Sequence, residues 1–186
     1  SSSMKHGGTQ TLNTDRLLLR RFTLDDADAM YGNWASDPEV TRYLMWPTHT
    51  GVSTSRDVLG EWVPAYERRD YYQWAIVVKG EGPEPIGSIA VVRQDESTAM
   101  AHIGYAIGRN WWHQGITSEA LGAVMNFLFD TVGFNRIEAR CDPRNTGSER
   151  VLKKCGMRYE GTLRAADWNN QGVCDASYYA LLKTDR

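Results

Sequence analysis

Cysteine is scarce in this sequence, and long apolar runs are absent. The 186 residues include three cysteines, Cys141, Cys155 and Cys174, an odd number without a Cys-x-x-Cys spacing. This count excludes a disulfide framework or a zinc knuckle, and it predicts the reduced thiols of a cytoplasmic protein. No apolar stretch reaches the roughly 18 residues that a transmembrane helix needs, so neither a membrane span nor a membrane partner is predicted.

An excess of positive charge is also missing. Lys and Arg number 21 against 23 Asp and Glu, which gives a net charge of −2. A general nucleic-acid-binding protein needs a strongly basic surface to displace the counterions of phosphates, so this class is excluded. The histidines His6, His49, His102 and His113 are scattered without metal-ligand spacing, and no metal site is predicted.

The chain has no low-complexity tract and no internal repeat. Its hydrophobic fraction of 41% and charged fraction of 24% are typical of a globular domain. Residues 1–3 precede Met4 and look like a cloning remnant, and the first residues lack the apolar segment of a signal peptide. We expect a disordered segment over residues 1–12 and a single domain over 13–186, as a monomer or a homodimer.

Hydrophobic periodicity predicts an alternation of strands and helices. Strands are expected at 16–22, 72–78, 85–93, 98–107, 136–141, 159–168 and 176–183. Helices are expected at 23–34, from residue 37, and at 53–68, 118–131 and 147–154. This order predicts a mixed α/β fold with a sheet of about seven strands flanked by helices.

The most informative segment, residues 103–121, combines a strand, a loop and the beginning of a helix. The loop and the helix start contain His113, Gln114, Gly115, Ile116, Thr117 and Ser118. The first N–H groups of a helix lack internal partners and bind phosphate, and a glycine lets a ligand approach the backbone. We expect the hydroxyls of Thr117 and Ser118 to add donors. The spacing matches neither a Walker loop nor a dinucleotide-binding glycine motif. An ordinary capped helix after a tight turn is the alternative interpretation.

Five motifs between residues 16 and 161 resemble those of one enzyme family. They are Arg16-Leu-Leu-Leu-Arg, Trp111-Trp-His-Gln-Gly-Ile-Thr-Ser-Glu-Ala, Arg136-Ile-Glu-Ala-Arg-Cys, Asn145-Thr-Gly-Ser and Cys155-Gly-Met-Arg-Tyr-Glu-Gly. With the element order over 16–183, they resemble the RimJ/RimL-like branch of the GNAT superfamily. The resemblance implies a GNAT-like, mostly antiparallel twisted sheet. Its central strands, 98–107 and 136–141, would splay apart and form a slot for acetyl-CoA.

The resemblance also implies an activity. A GNAT enzyme moves the acetyl group of acetyl-CoA directly to a primary amine and needs no metal. The RimJ/RimL-like branch favours a protein N-terminal α-amine, of the ribosomal-protein type, as the acceptor. A small amine (polyamine, aminoglycoside or amino acid) and a non-catalytic CoA-binding module remain open alternatives.

The cofactor-binding residues follow from the same resemblance. Backbone groups of Tyr105, Ala106 and Ile107 would bond to the pantetheine arm, with an N–H near Ile107 polarising the thioester carbonyl. The loop 113–118 would hold the pyrophosphate, and Asn145 would hydrogen-bond to the arm. Trp112 and Thr117 depart from the usual loop pattern at its first and last positions.

The catalytic residues are less determined. Leu152 stands where many family members carry a tyrosine acid, so Ser148 is the candidate acid, with a plain helix-start serine as the alternative. Asp167 is the first candidate base, acting through water, and Glu138 is the second. The alternatives are a strand-end aspartate and a cross-strand ion pair. For Cys141, a buried inert thiol is favoured over an acyl-cysteine intermediate.

Overall fold

The computed structural model describes residues 4–186, which form one open sheet of eight strands in the order β1-β2-β3-β4-β5-β6-β8-β7. The strands are Leu12–Asn13 (β1), Leu17–Arg20 (β2), Gln73–Val78 (β3), Pro85–Asp95 (β4), Met100–Ile107 (β5), Arg136–Cys141 (β6), Arg158–Asn169 (β7) and Gly172–Leu182 (β8). Neighbouring strands are antiparallel except β5 and β6, which are parallel. The predicted mixed α/β fold is confirmed, with one strand more than the seven expected.

In the described part of the chain, five α-helices accompany the sheet: Ala27–Met30 (α1), Pro38–Thr41 (α2), Val52–Ala65 (α3), Ile116–Asn126 (α4) and Thr146–Lys154 (α5). A 3₁₀ turn at Leu24–Asp26 and a π turn at Tyr31–Ala35 flank α1, so the helix expected at 23–34 is divided into three short pieces. Another π turn, Phe127–Val132, extends α4. Within residues 4–186, no helix combines the length and the apolarity that a membrane crossing requires.

The sheet separates two apolar clusters. One cluster joins α4 to the strands and includes Leu121, Val124 and Ile137, each fully buried. The other cluster joins α1 and α3 to the opposite face and includes Trp34 and Leu59, also fully buried. Burying one such large apolar side chain contributes roughly 1.5–3 kcal/mol, so these clusters fix the sheet between its helical layers.

The N-terminal segment differs from the expectation of disorder over residues 1–12. The N–H of Gly8 donates to Arg69 O, and the hydroxyl of Thr9, itself buried, donates to Tyr71 O. Leu12 begins β1, which pairs with β2. Residues 4–12 therefore lie against the sheet, because their backbone groups find partners in the turn before β3. Residues 1–3 lie outside the described part of the chain, and the single domain over 13–186 stays a prediction.

Candidate active site

The slot between β5 and β6 arises because these parallel strands pair over only three residues each. The register joins Met100 to Arg136, Ala101 to Ile137 and His102 to Glu138, and it ends there. β5 remains paired with β4 as far as Ile107, and β6 remains paired with β8 as far as Cys141. The facing edges of the two strands are thus unpaired beyond His102 and Glu138. Such edges offer backbone donors and acceptors to an extended, amide-containing ligand.

The N-terminus of α4 lies at the end of the loop that follows β5. α4 begins at Ile116, two residues earlier than the predicted Ser118, and Gly115 precedes it with φ of 73°, a conformation that favours glycine. The first helical hydrogen bond runs from Glu119 N–H to Gly115 O. The N–H groups of residues 116–118 therefore have no partner within the helix, and the helix dipole adds partial positive charge at this end.

The side chains of Lys154 and Arg16, which were not predicted as site residues, lie next to Gly115. A Cβ at Gly115 would lie 3.2 Å from Lys154 Nζ and 3.4 Å from a terminal nitrogen of Arg16. Arg16 is held there by the Glu119 carboxylate at 2.8 Å and by Gln114 O at 2.8 Å. Burial tends to raise the pKa of Glu119, but hydrogen bonds from Thr14 and Arg16 outweigh it and lower the pKa. The helix end thus carries positive charge suited to a pyrophosphate.

The remaining predicted loop residues contribute in different ways. His113 and Gln114 are exposed, and His113 also has a positive φ, 61°. Ile116 and Thr117 are buried, and their backbone N–H groups belong to the unpaired first turn of α4, while the hydroxyl donor expected of Thr117 stays a prediction. Ser118 is half-buried, and its carbonyl accepts a weak bond from Cys155 Sγ at 3.4 Å.

A pair of hydroxyl groups lies on the α5 side of the slot. Tyr105 Oη and Ser148 Oγ are 2.6 Å apart, which joins β5 to the first turn of α5. Asn145 caps α5 by accepting from Ser148 N–H at 3.2 Å, so its Oδ1 is engaged and its Nδ2 faces a ligand as the donor. Burial raises the pKa of Tyr105 and raises the pKa of Cys141 to about 11. Both groups therefore keep their protons at neutral pH.

The C-terminal end of β5 makes a hydrogen bond with the loop that leads to α4. Ile107 is buried, and its carbonyl accepts from Trp112 Nε1 at 3.1 Å. Tyr105 and Ala106 are half-buried, in contrast to the buried residues 101–103 at the paired end of the strand. The partial exposure coincides with the part of β5 that has no partner on the β6 side.

The two carboxylates predicted as bases occupy different surroundings. Glu138 is buried and contacts His102, Arg93 and Arg136. Burial tends to raise its pKa, but His102 and Arg136 outweigh that effect and lower it. Asp167 lies on β7, and its carboxylate is 2.8 Å from Arg140 Nε. Both carboxylates are thus in ion pairs, Glu138 at the slot and Asp167 two strands away.

The slot, the free helix N–H groups and the two cations fit acetyl-CoA. An extended arm with amide groups matches the unpaired strand edges, and the anionic pyrophosphate matches the N-terminus of α4 with Arg16 and Lys154. Within residues 4–186, no group of three or more His, Cys, Asp or Glu side chains is arranged to hold a metal ion.

Comparisons with known proteins agree with this geometry. The profile of the family described as "Acetyltransferase (GNAT) domain" matches residues 16–158. The "Uncharacterized N-acetyltransferase p20" of Bacillus licheniformis is 36% identical over 176 residues, 95% of this chain and 98% of that protein. The "Ribosomal-protein-serine acetyltransferase" of Escherichia coli strain K12 is 28% identical over 141 residues, 75% of this chain and 76% of that protein.

A solved structure has the same architecture. The ribosomal L7/L12 alpha-N-protein acetyltransferase RimL, in complex with coenzyme A, superposes with a TM-score of 0.84 at 20% identity and covers 95% of this chain and 100% of its own. These findings agree with the RimJ/RimL-like resemblance of the sequence motifs. The chain therefore belongs to the GNAT family and is an acetyl-CoA-dependent N-acetyltransferase.

Proposed function

We propose that the enzyme acetylates a primary amine by direct transfer, with a protein N-terminal α-amine as the favoured acceptor. The observation that carries the proposal is the slot between β5 and β6 with the N-terminus of α4 beyond its open end. The preference for a protein N-terminus is supported by similarity to enzymes named for ribosomal proteins. A small amine remains the second candidate, because fold similarity does not fix the acceptor.

An α-amine acceptor makes a modest demand on the site. With a reference pKa of about 7.7–8.0, roughly one α-amine in ten is neutral at pH 7, against about one lysine side chain in 2,500. An α-amine acceptor needs only a group that takes a proton as the new amide bond forms. A lysine acceptor also needs a site that lowers the pKa of the side-chain amine strongly, so that enough of it is neutral.

In the proposed mechanism, backbone groups of Tyr105, Ala106 and Ile107 align the thioester in the slot. The loop 113–118, with Arg16 and Lys154, anchors the phosphates, and Nδ2 of Asn145 donates to the arm. Ser148 protonates the departing sulfur, with Tyr105 as its hydrogen-bonded partner at 2.6 Å. Because the pKa of Cys141 is raised to about 11, its thiol is a poor nucleophile, which supports direct transfer.

The two proposed bases are not equally placed. Asp167 lies on β7, separated from β6 by β8, which corresponds to roughly 10 Å at normal strand spacing. Its action would require water and the loss of its ion pair with Arg140. Glu138 flanks the point where the slot closes. This position favours Glu138, or a group that Glu138 holds, over Asp167.

We propose that the acceptor enters the slot beside the turn between β7 and β8. Asn170 Nδ2 donates to the carbonyls of Thr41 and Trp46, at 2.7 and 2.9 Å. These bonds tie the turn to the end of α2 and to the segment that follows it, so we propose that acceptor specificity resides in the turn and in this segment. The free thiols of Cys141, Cys155 and Cys174 are consistent with the proposed cytoplasmic location.

The test measures the melting temperature with and without acetyl-CoA, and then thiol release with a panel of amines. We expect stabilisation by acetyl-CoA and the fastest thiol release with peptides that bear a free N-terminus. The same peptides with acetylated N-termini are the control. Thiol release with polyamines or amino acids alone would favour the small-amine candidate. Binding without release for any amine would contradict the proposed function.

A further inference from the structure

A buried histidine–glutamate pair stands where the slot closes. His102 and Glu138 form the last register pair before β5 and β6 separate. Nδ1 of His102 lies 2.5 Å from Oε2 of Glu138, and the two residues are only 4% and 6% exposed. No role was predictable for His102 from the sequence, because its partner lies 36 residues away along the chain and meets it only through the register of the sheet.

The pair faces the side of the sheet opposite the Tyr105–Ser148 hydroxyls. Side chains alternate along a strand, so His102 and Gly104 share one face while Ile103 and Tyr105 share the other. Ala106, on the His102 face, packs against the cluster of α1 and α3. A Cβ at Gly104 would meet only the Val92 side chain, at 3.2 Å. On this face, therefore, only Gly104, which has no side chain, lies between His102 and Ala106, and we expect the acceptor amine to approach there.

The surrounding charges determine which nitrogen of His102 is free. The Glu138 carboxylate also contacts Arg93 at 3.3 Å and Arg136 at 3.2 Å, so it stays ionised and accepts the Nδ1 hydrogen of His102. Nε2 then carries the lone pair, and it makes no hydrogen bond to any residue between 4 and 186.

The charge state of His102 follows from the groups that pack against it. Burial lowers its pKa, and Arg140 and Arg93 lower it further, while Glu138 acts in the opposite direction without reversing the shift. The ring of Tyr178, on β8, lies 6.3 Å away. The imidazole is therefore neutral at neutral pH and able to accept a proton.

We propose that Nε2 of His102 takes the proton of the acceptor amine through water in the slot and that Glu138 positions the imidazole, an assignment that rests on the proposed amine acetylation. The amine nitrogen bonds to the thioester carbonyl carbon as the carbon–sulfur bond breaks. The surplus amine proton moves to Nε2, and the sulfur receives a proton from Ser148. The imidazolium and the serine then exchange protons through solvent, so the products are one amide and one free thiol.

This arrangement places acid and base on opposite faces of the slot. Ser148 and Tyr105 lie on the α5 side, where the sulfur departs, and His102 lies on the side from which the amine arrives. Asp167 differs, because its strand β7 is two strands away from β6 and its carboxylate is held by Arg140. Glu138 accepts hydrogen bonds from three cationic or hydrogen-donating side chains, so it orients His102 better than it accepts a proton itself.

The first experiment compares His102→Gln with the parent enzyme in steady-state acetylation of a peptide with a free N-terminus. The glutamine preserves polarity but cannot accept the proton, so we expect kcat to fall roughly 100-fold or more, with little change in the KM for acetyl-CoA. His6→Gln is the matched control, since His6 also pairs with a glutamate, Glu96 at 3.0 Å, in the turn between β4 and β5 and outside the slot. Equal kcat values for the parent and His102→Gln would overturn the assignment while leaving the proposed function intact.

The pH dependence separates a proton acceptor from a structural residue. At each pH, the ratio of the parent rate to the His102→Gln rate cancels the titration of the amine itself. Because imidazolium cannot accept a proton, this ratio should fall as the pH drops below the lowered pKa of His102. Glu138→Gln removes the charge that raises that pKa, so the fall should move to lower pH. A ratio that is constant with pH would overturn the proposal.

A measurement on the enzyme without substrate completes the test. Nitrogen-15 NMR of labelled histidine, assigned with the His102→Gln variant, should show the Nδ1-protonated neutral tautomer of His102 at pH 7. The Nε2-protonated tautomer would overturn the proposal whatever the acceptor. Absence of transfer by the parent to every amine contradicts the proposed function and, with it, the catalytic part of this assignment.

Discussion

The hydroxyls of Tyr105 and Ser148 form a short hydrogen bond across the α5 side of the slot. Burial raises the pKa of the tyrosine, so the phenol stays protonated throughout the usual assay range and can resupply the serine. Ser148 is also fixed through its backbone, because its N–H donates to Asn145 Oδ1. β5 and α5 together fix the positions of the two hydroxyls, so the pair is a preorganised proton donor for the sulfur.

We predict that Ser148→Ala and Tyr105→Phe each lower kcat by roughly 10- to 100-fold, and that acetyl-CoA affinity is nearly unchanged. Neither loss should recover at high pH, because higher pH frees bases but supplies no acid to the sulfur. The measurement is a pH–rate profile together with calorimetric titration of acetyl-CoA. Tyr159→Phe is the control, since Tyr159 is 57% exposed and its hydroxyl is hydrogen-bonded to Thr162, away from the slot. Full activity of Ser148→Ala would make Ser148 a plain helix-start serine without a catalytic role.

The site residues that were not predicted from the sequence have one physical feature in common. His102 lies on β5, Lys154 ends α5 and Arg16 immediately precedes β2, and each gains its role from a partner far along the chain. His102 meets Glu138 only through the β5–β6 register, and Lys154 reaches Gly115 only because α5 packs beside α4. Gly115 and Ser148 were predictable because local sequence shows a turn before a helix and a serine in its first turn.

At the scale of elements, the N-terminus of α4 and the last turn of α5 together form the positive region of the proposed phosphate site. α4 supplies N–H groups, and α5 supplies Lys154 from its final residue. Its neighbour Lys153 is instead engaged by Glu149 at 2.6 Å on the same helix. Of these two adjacent lysines, Lys154 therefore points to the proposed phosphate site and Lys153 to a glutamate of its own helix.

We predict that Lys154→Gln weakens acetyl-CoA binding about threefold to fivefold, on the order of 0.6–1 kcal/mol, because an exposed charge is partly screened. Lys153→Gln is the matched control and should leave the affinity unchanged. The measurement is calorimetric titration at low and high salt, and the difference between the variants should shrink as salt rises. Equal loss in both variants would indicate a general effect of net charge rather than a contact at Gly115.

Periodicity predicted the long elements well and the short ones poorly. β3, β5 and β6 lie close to their expected bounds because their buried runs are flanked by turns. β1 has only two residues and makes its pairs with β2, so no period is readable in it. The three short pieces over residues 24–35 alternate between 3₁₀, α and π geometry, which a single helical period does not distinguish.

At the scale of the whole molecule, the N-terminal segment is held to the strand that begins at Gln73. Thr9 Oγ1 donates to Tyr71 O at 2.8 Å and accepts from Gln73 N–H at 3.1 Å. Trp74 Nε1 donates to Gln10 O at 2.7 Å, and Trp74 is fully buried. Residues 4–12 thus complete the hydrogen bonding of buried groups near the start of β3.

We predict that Thr9→Val lowers the free energy of unfolding by about 2 kcal/mol. Valine has nearly the same shape, but it leaves the buried N–H of Gln73 and the carbonyl of Tyr71 without this partner, at a cost of roughly 1–3 kcal/mol. For a chain of this length, the melting temperature should fall by about 4–8 °C. The matched control is Gln10→Ala, because Gln10 is exposed and its bond to Trp74 uses the backbone carbonyl, which alanine retains. Melting curves and urea unfolding of the three proteins provide the measurement. If Thr9→Val unfolded together with the parent and Gln10→Ala, the segment would contribute nothing to stability. The disorder expected from its polar, glycine-containing sequence would then be the better description.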